Sequence, residues 1–222
     1  MTKKKLNKKE KWIIYIFISI VFFALITSLY IYFYFNNLKY TVYKNDGSKF
    51  IFEENLVKGI RIKSTGYNPN KIIEFNIERD PITGKETKET CYRQDGTIKY
   101  ITEYDIETGN ETKRTDYYKD GKTKDVIFEF NQTGKLTKST WYKLDGKTIK
   151  FITEFNPITG KETKLTKYKP DGSIDYITKY EYDPTTGEQI KKTYYKEDGT
   201  IWGIEDYESE TKKQDQINNL NQ

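Results

Sequence analysis

The sequence predicts a mostly β protein: an elongated array of antiparallel β-hairpin repeats, as a single twisted sheet or a solenoid-like stack, preceded by one N-terminal transmembrane helix. Three observations carry that expectation. Residues 12–35 are uncharged, glycine turns recur in pairs at fixed spacing, and residues between the turns are constant at every second position.

The N-terminal stretch WIIYIFISIVFFALITSLYIYFYF, Trp12 to Phe35, would rise about 36 Å as a helix, enough for a hydrocarbon core of ~30 Å. It is longer than the ~7 to 15 apolar residues of a signal peptide and has only a poor cleavage site around Ala24 to Ser28. An uncleaved signal anchor is therefore expected, with secretion as the outcome if the segment is cut. Lys3, Lys4, Lys5, Lys8, Lys9 and Lys11 precede it, while only Lys39 and Lys44 follow closely. The positive-inside bias then makes residues 1–11 a cytoplasmic lysine-rich tail, residues 12–35 the membrane partner, and the repeats extracellular. Tyr30, Tyr32 and Tyr34 suit the outer interface.

Thr-Gly pairs end at Gly84, Gly109, Gly134, Gly160 and Gly187, and Asp-Gly pairs at Gly96, Gly121, Gly146, Gly172 and Gly199, each 12 residues after its Thr-Gly partner. The return segments, from Asp-Gly to the next Thr-Gly, run 13, 13, 14 and 15 residues, so length varies only on that half. Counting back from each Asp-Gly glycine, the fourth residue is Tyr (Tyr92, Tyr117, Tyr142, Tyr168, Tyr195) and the sixth Thr (Thr90, Thr115, Thr140, Thr166, Thr193). The eighth is Lys (Lys88, Lys113, Lys138, Lys164, Lys191), and the same rule applied to Gly47 finds Tyr43, Thr41 and Lys39. Side chains two apart share one face of a strand, so Lys, Thr and Tyr line one face. Cys91, Asp116, Trp141, Lys167 and Tyr194 interleave with them and vary.

Gly accepts positive φ and Asp bonds the local backbone, so the chain folds back at every such glycine. Pro81, Pro157 and Pro184 suit the first turn position of their loops. The return strand carries Ile98, Ile101 and Tyr104 in one unit, and Ile174, Ile177 and Tyr180 in another. That spacing of three breaks strict alternation and predicts a bulge, a strong twist or a corner. One hairpin is marginal alone, so stability is expected from stacked neighbours through ladders of Tyr on Tyr and Thr on Thr. The resulting division is degenerate repeats over 39–76, around YNPNKIIEFN, tandem hairpin repeats over 77–207, and a disordered polar tail over 208–222.

The 222-residue chain is 35% hydrophobic, with no histidine and one cysteine, which excludes histidine bases, Cys/His metal clusters and intramolecular disulfides. The pI near 8.9 raises nucleic-acid binding as a reading. Removing the six N-terminal lysines and Glu10 from 38 basic and 33 acidic residues leaves 32 of each over residues 36–222. The basicity belongs to the N-terminal tail, and no nucleic-acid partner is expected. Arginine occurs only at Arg61, Arg79, Arg93 and Arg114, and the Lys-, Asn-, Ile- and Tyr-rich usage fits a low-GC bacterial genome.

The assembled motif, [E/K][Y/F][D/N]-P-x-T-G-x-E-T-K-x-T-x-Y-x-x-D-G-[T/S]-I, resembles the tandem-repeat proteins of unknown function of phytoplasma-type, wall-less, plant-pathogenic bacteria. The resemblance covers residues 74–207 well and 39–73 loosely. It implies exposure at the bacterial surface or secretion toward host cells and carries no established activity. More loosely, the Tyr-Asp and Asp-Gly cadence is similar to the YD repeats of bacterial surface toxins.

Acids such as Asp171, Glu181 and Asp183 recur in every unit, whereas an active site is normally single. No catalytic, metal or cofactor residue is therefore assigned, and an enzyme is not expected. Trp141, Trp202 and Tyr194 are the candidate interaction residues, because rings stack on sugar faces and cradle cations; a ladder role is the alternative. Cys91 has no partner to activate it, though an intermolecular disulfide stays open. Glu86, Glu111 and Glu162, two residues before the repeated Lys, are expected to offset it on the same face. The expected function is a membrane-anchored or secreted, non-catalytic surface for a host protein or glycan, and the alternative a structural spacer that self-associates through its repeats.

Overall fold

The computed structural model describes residues 8–35 and 37–207. The expected polar tail over 208–222 and most of the 1–11 tail lie outside them. A helix, α1 (Lys8–Phe35), leads into fourteen strands. These are β1 (Asn37–Tyr43), β2 (Lys49–Asn55), β3 (Ile60–Tyr67), β4 (Ile73–Arg79), β5 (Glu86–Tyr92), β6 (Ile98–Tyr104) and β7 (Glu111–Tyr117). The second half comprises β8 (Lys124–Phe130), β9 (Leu136–Tyr142), β10 (Ile149–Phe155), β11 (Glu162–Tyr168), β12 (Ile174–Tyr182), β13 (Gln189–Lys196) and β14 (Ile201–Asp206). All fourteen form one open antiparallel sheet in chain order, each strand paired with its sequence neighbours. The hairpin array is thus a single sheet.

The membrane-spanning helix is corrected. Residues 12–35 fall within α1, but among the described residues no helix is long and apolar enough to cross a membrane. The single-pass topology, the membrane partnership of residues 12–35 and the extracellular placement of the repeats rested on that helix and fall with it. Among described elements α1 touches only β1.

Register explains the constant residues. One row across the sheet runs Lys39, Glu53, Lys63, Glu78, Lys88, Glu103, Lys113, Glu129, Lys138, Glu154, Lys164, each directly opposite the next. Opposite charges face each other at every step, with ion pairs of 3.1 Å (Lys39–Glu53), 2.6 Å (Lys138–Glu129) and 2.9 Å (Lys164–Glu154). The adjacent row alternates Thr with Ile: Thr90, Ile101, Thr115, Ile127, Thr140, Ile152, Thr166, Ile177. Tyr likewise faces Ile, as Tyr92 faces Ile98 and Tyr168 faces Ile174. The expected Thr-on-Thr and Tyr-on-Tyr ladders are therefore not what forms. Where isoleucine stands opposite, its β-branched side chain lets threonine and tyrosine bury against hydrocarbon, while Tyr117 and Tyr43 face Lys124 and Lys49.

The spacing of three in the return strand is a bulge. Cys91 faces Tyr100 but Tyr92 faces Ile98, leaving Lys99 without an opposite residue; Glu74, Asp125, Lys150, Asp175 and Trp202 occupy the same place in other hairpins. A second bulge opens each later outgoing strand. There Glu103 faces Lys113 and Tyr104 faces Glu111, with Thr112 between. Its hydroxyl donates to the Glu103 carbonyl at 3.1 Å, and Thr87, Thr137 and Thr163 repeat this at 3.2, 2.9 and 3.1 Å. This bulge moves the preceding Glu to the other face. Glu86 consequently pairs with Arg79 at 2.7 Å, and the repeated Lys is offset across strands instead of by the Glu two residues before it.

Without a second layer, the best-shielded positions are small. Thr90, Thr115, Thr140, Thr166 and Thr193 are buried on the constant face, and Thr102, Thr153 and Thr178 on the other. Val126 is the single buried hydrophobic among the described residues. Longer stems of Lys, Glu and aromatic neighbours cover each threonine while their polar tips stay wet.

Turns and long side chains lace the two borders. At the Asp-Gly border Arg93 N–H donates to Thr97 C=O at 2.8 Å, Gly96 N–H to Arg93 C=O at 2.9 Å, and Thr97 N–H to the Asp95 carboxylate at 2.9 Å. At the Thr-Gly border Gly84 N–H donates to Asp80 C=O at 2.9 Å, and the Ile82 and Thr83 amides donate to the Asp80 carboxylate. Tyr118 Oη donates to the Tyr142 carbonyl at 3.0 Å, and Lys85 Nζ to that of Glu107, joining each turn to the next unit.

The stretch YNPNKIIEFN is a full unit. Lys71 holds φ 64°, donates its N–H to Asn68 C=O at 2.9 Å, and stands where other units have the Asp-Gly glycine. Tyr67, Thr65 and Lys63 lie four, six and eight residues before it. Left-handed backbone costs a non-glycine residue about 1–2 kcal/mol, partly offset in the unfolded chain. Lys71→Gly should accordingly stabilise the protein by about 0.5–1 kcal/mol, read as a higher midpoint in urea at unchanged slope.

The turn aspartates have depressed pKa values, with Asp120 and Asp145 down to about 2, first through the hydroxyls of Thr123 and Thr148 and then through backbone amides. Asp46, Asp95, Asp171 and Asp198 are lowered by the same kind of bond to Ser48, Thr97, Ser173 and Thr200. Their ordinary value is about 3.9, so between about pH 4 and pH 2 the unfolded chain binds more protons than the folded one. The melting temperature should hold above pH 4 and fall steadily as pH drops to 2. A flat profile over that window would show that these bonds do not support the turns.

Candidate interaction surface

The two faces carry different chemistry. The Lys/Glu and Thr/Ile rows occupy one, and the other carries Cys91, Asp116, Trp141, Lys167 and Tyr194 in the interleaved positions. On this variable face aromatic residues form three clusters separated along the sheet.

The central cluster surrounds Trp141 on β9. Its row runs Val126, Trp141, Phe151, so the indole lies between neighbours on β8 and β10. Phe151 stacks on it at 5.4 Å with a 24° interplanar angle, while Phe128 meets it edge-on at 6.5 Å and 79°. Trp141 Nε1 donates to Ser139 Oγ at 3.3 Å. The ring is part of the sheet's own packing and half-exposed at once.

The second cluster holds Tyr194 on β13 and Trp202 on β14, ring centroids 5.3 Å apart. Trp202 is the bulge residue of its strand, between Gly203, opposite Tyr194, and Ile201, opposite Tyr195, and it is 57% exposed. Tyr194 and Tyr207 both donate to Glu205, at 3.0 and 2.5 Å, which holds its carboxyl below the usual range and raises both phenols. The sequence-predicted residues therefore split. Tyr194 and Trp202 come together, and Trp141 stands four strands away, roughly 19 Å at the ~4.8 Å strand spacing.

The third cluster was missed by sequence reasoning. Tyr40, Phe52, Phe50 and Phe75 make a chain of ring contacts at 5.4, 6.2 and 6.1 Å across β1, β2 and β4, and the Arg61 guanidinium sits 3.9 Å over Phe52. Its signal is Gly66, which leaves the variable position of β3 without a side chain and faces Phe50 on one side and Phe75 on the other. Between this cluster and the central one lies a polar interval in which Arg114 covers Tyr100 at 4.1 Å and bonds Asp116 at 2.7 Å. Burial, followed by Cys91, pushes Tyr100 up to about 12. Cys91 is half-buried beside it.

Among the described residues no group of three or more Cys, Asp or Glu could hold a metal. Carboxyls and phenols of the described sheet are displaced away from neutrality. Turn aspartates go down, as does Glu54 through Tyr40, while tyrosines go up, Tyr180 to about 12 by burial. What the face offers is contact: flat aromatic area edged by cations and carboxylates.

A single-layer sheet built from a repeated hairpin, with one constant and one variable face, defines a repeat protein. The family described as "Protein of unknown function (DUF2963)" matches residues 67–107, 92–141, 142–181 and 180–218, and the chain belongs to that family. No curated protein matches. Among solved structures, a GtfA/B complex bound to UDP and GlcNAc is similar at 16% identity and TM-score 0.32, over 55% of this chain and 25% of that one. TarM is similar at 12% and 0.27, over 59% and 19%. A porin-like protein from Bacteroides uniformis is similar at 13% and 0.19, over 77% and 92%. This chain thus spans about a quarter of the first of these and about a fifth of the second.

A Cβ on Gly66 would stand 2.4 Å from Phe75 Cε1. Gly66→Ala should therefore cost about 1–3 kcal/mol, although alanine ordinarily improves a strand interior. In a Phe75→Ala background the same change should cost nothing, so a thermodynamic cycle by urea unfolding should give a coupling near the full cost. Additive effects would show that the ring does not need the glycine.

Proposed function

We propose that this chain is a non-catalytic binding protein whose variable face contacts a protein or glycan at a bacterium–host interface. One observation carries the reading: the alternating charge row and the Thr/Ile row occupy one face, while on the other the outgoing-strand positions and their aromatic clusters differ from strand to strand. Stacked rings with neighbouring cations and carboxylates suit sugar faces and peptide side chains. The resemblance to tandem-repeat proteins of phytoplasma-type bacteria supports an origin in such a bacterium and a partner on the host side.

A second reading, a structural protein that self-associates through its repeats, is favoured by the open sheet, whose terminal strands β1 and β14 each have, among the described residues, one side without a partner strand.

The first reading is tested on a glycan array and against displayed host surface proteins. Trp202→Ala and Tyr194→Ala should abolish a captured interaction while leaving the melting temperature nearly unchanged, because both side chains lie at the sheet's end. Charge reversal at Lys113 on the constant face should leave binding intact. Equal loss from Lys113→Glu and Trp202→Ala would refute a variable-face site.

A further inference from the structure

We propose that copies of this chain join head to tail, β14 of one pairing antiparallel with β1 of the next, so that the sheet continues across molecules in one defined register. This rests on the self-association reading and specifies its surface and partner: the two terminal strands and a second copy of the chain.

The terminal strands are the two halves of an internal interface. In every later unit an outgoing strand with the pattern Lys-x-Thr-x-Tyr pairs with the return strand before it. At β6 and β7, for example, Glu103 faces Lys113, Ile101 faces Thr115 and Tyr100 faces Asp116. Among the described strands β14, a return strand, is the last in the sheet, and β1, an outgoing strand carrying Lys39, Thr41 and Tyr43, is the first. Setting β1 of a second copy where the next outgoing strand would lie places Asp206 opposite Lys39, Ile204 opposite Thr41 and Gly203 opposite Val42. Both rows then continue in phase: acid meets base and isoleucine meets threonine, as they do within the chain.

Neither strand is protected against such pairing. Both lack proline, and along β1 only Tyr40, along β14 only Gly203, is shielded even halfway. Val42, Ile201 and Ile204 are 43%, 54% and 50% exposed. An unpaired strand of this kind is a template for another chain. Pairing like ends would set two outgoing or two return strands side by side, which no internal pair does. Head-to-tail contacts do not close on themselves, so growth is linear and concentration-dependent.

The test uses the full chain with Cys91→Ser. One sample carries Thr41→Cys, a second carries Ile204→Cys, and the two are oxidised mildly, separately and mixed. Directly opposed residues lie about 4.5–5.5 Å apart at Cα, within disulfide reach. The mixture should form a disulfide-linked dimer at least about tenfold faster than either variant alone, and a chain with both cysteines should give a ladder of covalent multimers. In sedimentation velocity, Asp206→Lys should weaken association about fivefold, and adding Lys39→Asp on the same chain should restore it. Association without selective cross-linking, as the exposed apolar α1 alone would produce, overturns this register while leaving self-association standing. A monomer at every concentration overturns both.

Discussion

A sheet with no second layer has no inside, and each strand is held only by the strands on either side of it. That constraint makes cross-strand register carry the whole structure. In a sandwich, an imperfect strand pair is clamped by the opposing sheet; here pairing, bulges and borders must agree in every hairpin. The Lys/Glu row, the Thr/Ile row and the threonine hydroxyls that close the bulges are consequences of that demand. Individually such contacts contribute ~0.2 to 1 kcal/mol, and their strength lies in repetition across thirteen interfaces.

The row of alternating charges also shows how the array tolerates length changes. β12 has nine residues, where most return strands have seven. On its β11 side Ile177 faces Thr166, as the pattern requires, but Lys164 meets Lys179. On its β13 side the row resumes two residues further along, with Glu181 facing Lys191 and Lys191 facing Asp206. A step of two keeps every side chain on its own face, whereas a step of one would exchange the faces. Lys179 is accommodated 5.1 Å over the Tyr195 ring, and Lys164 already has Glu154.

Much of this was legible in the sequence because turns and strand parity are local. Glycine at positive φ and Asp or Asn bonding the next amides specify each reversal, and the two-residue period separates the faces. Three things were not legible. The seventh Asp-Gly-type turn hides at Lys71, where a rule based on glycine cannot see it although Tyr67, Thr65 and Lys63 keep the count. The partner of each threonine depends on register, which the bulges shift, so isoleucine stands where threonine was expected. The Phe50, Phe52 and Phe75 cluster depends on strands that become neighbours only after folding, with Gly66 between them.

Division of labour between the faces follows from the same physics. A row that must complement both neighbours cannot vary at one strand without a matching change at two others, so its composition is fixed by the array. On the opposite face the central positions still pack, as Trp141 does between Val126 and Phe151, yet the packing is local and each cluster spans only two to four strands. Val126, Trp141 and Phe151 are then replaced by Phe75, Cys91 and Tyr100 two units away without disturbing the charge row beneath. A surface able to change in blocks while its support stays constant is the physical basis on which the proposed recognition rests, and under that proposal the aromatic clusters, and not the repeated lysines, are where a partner would be read.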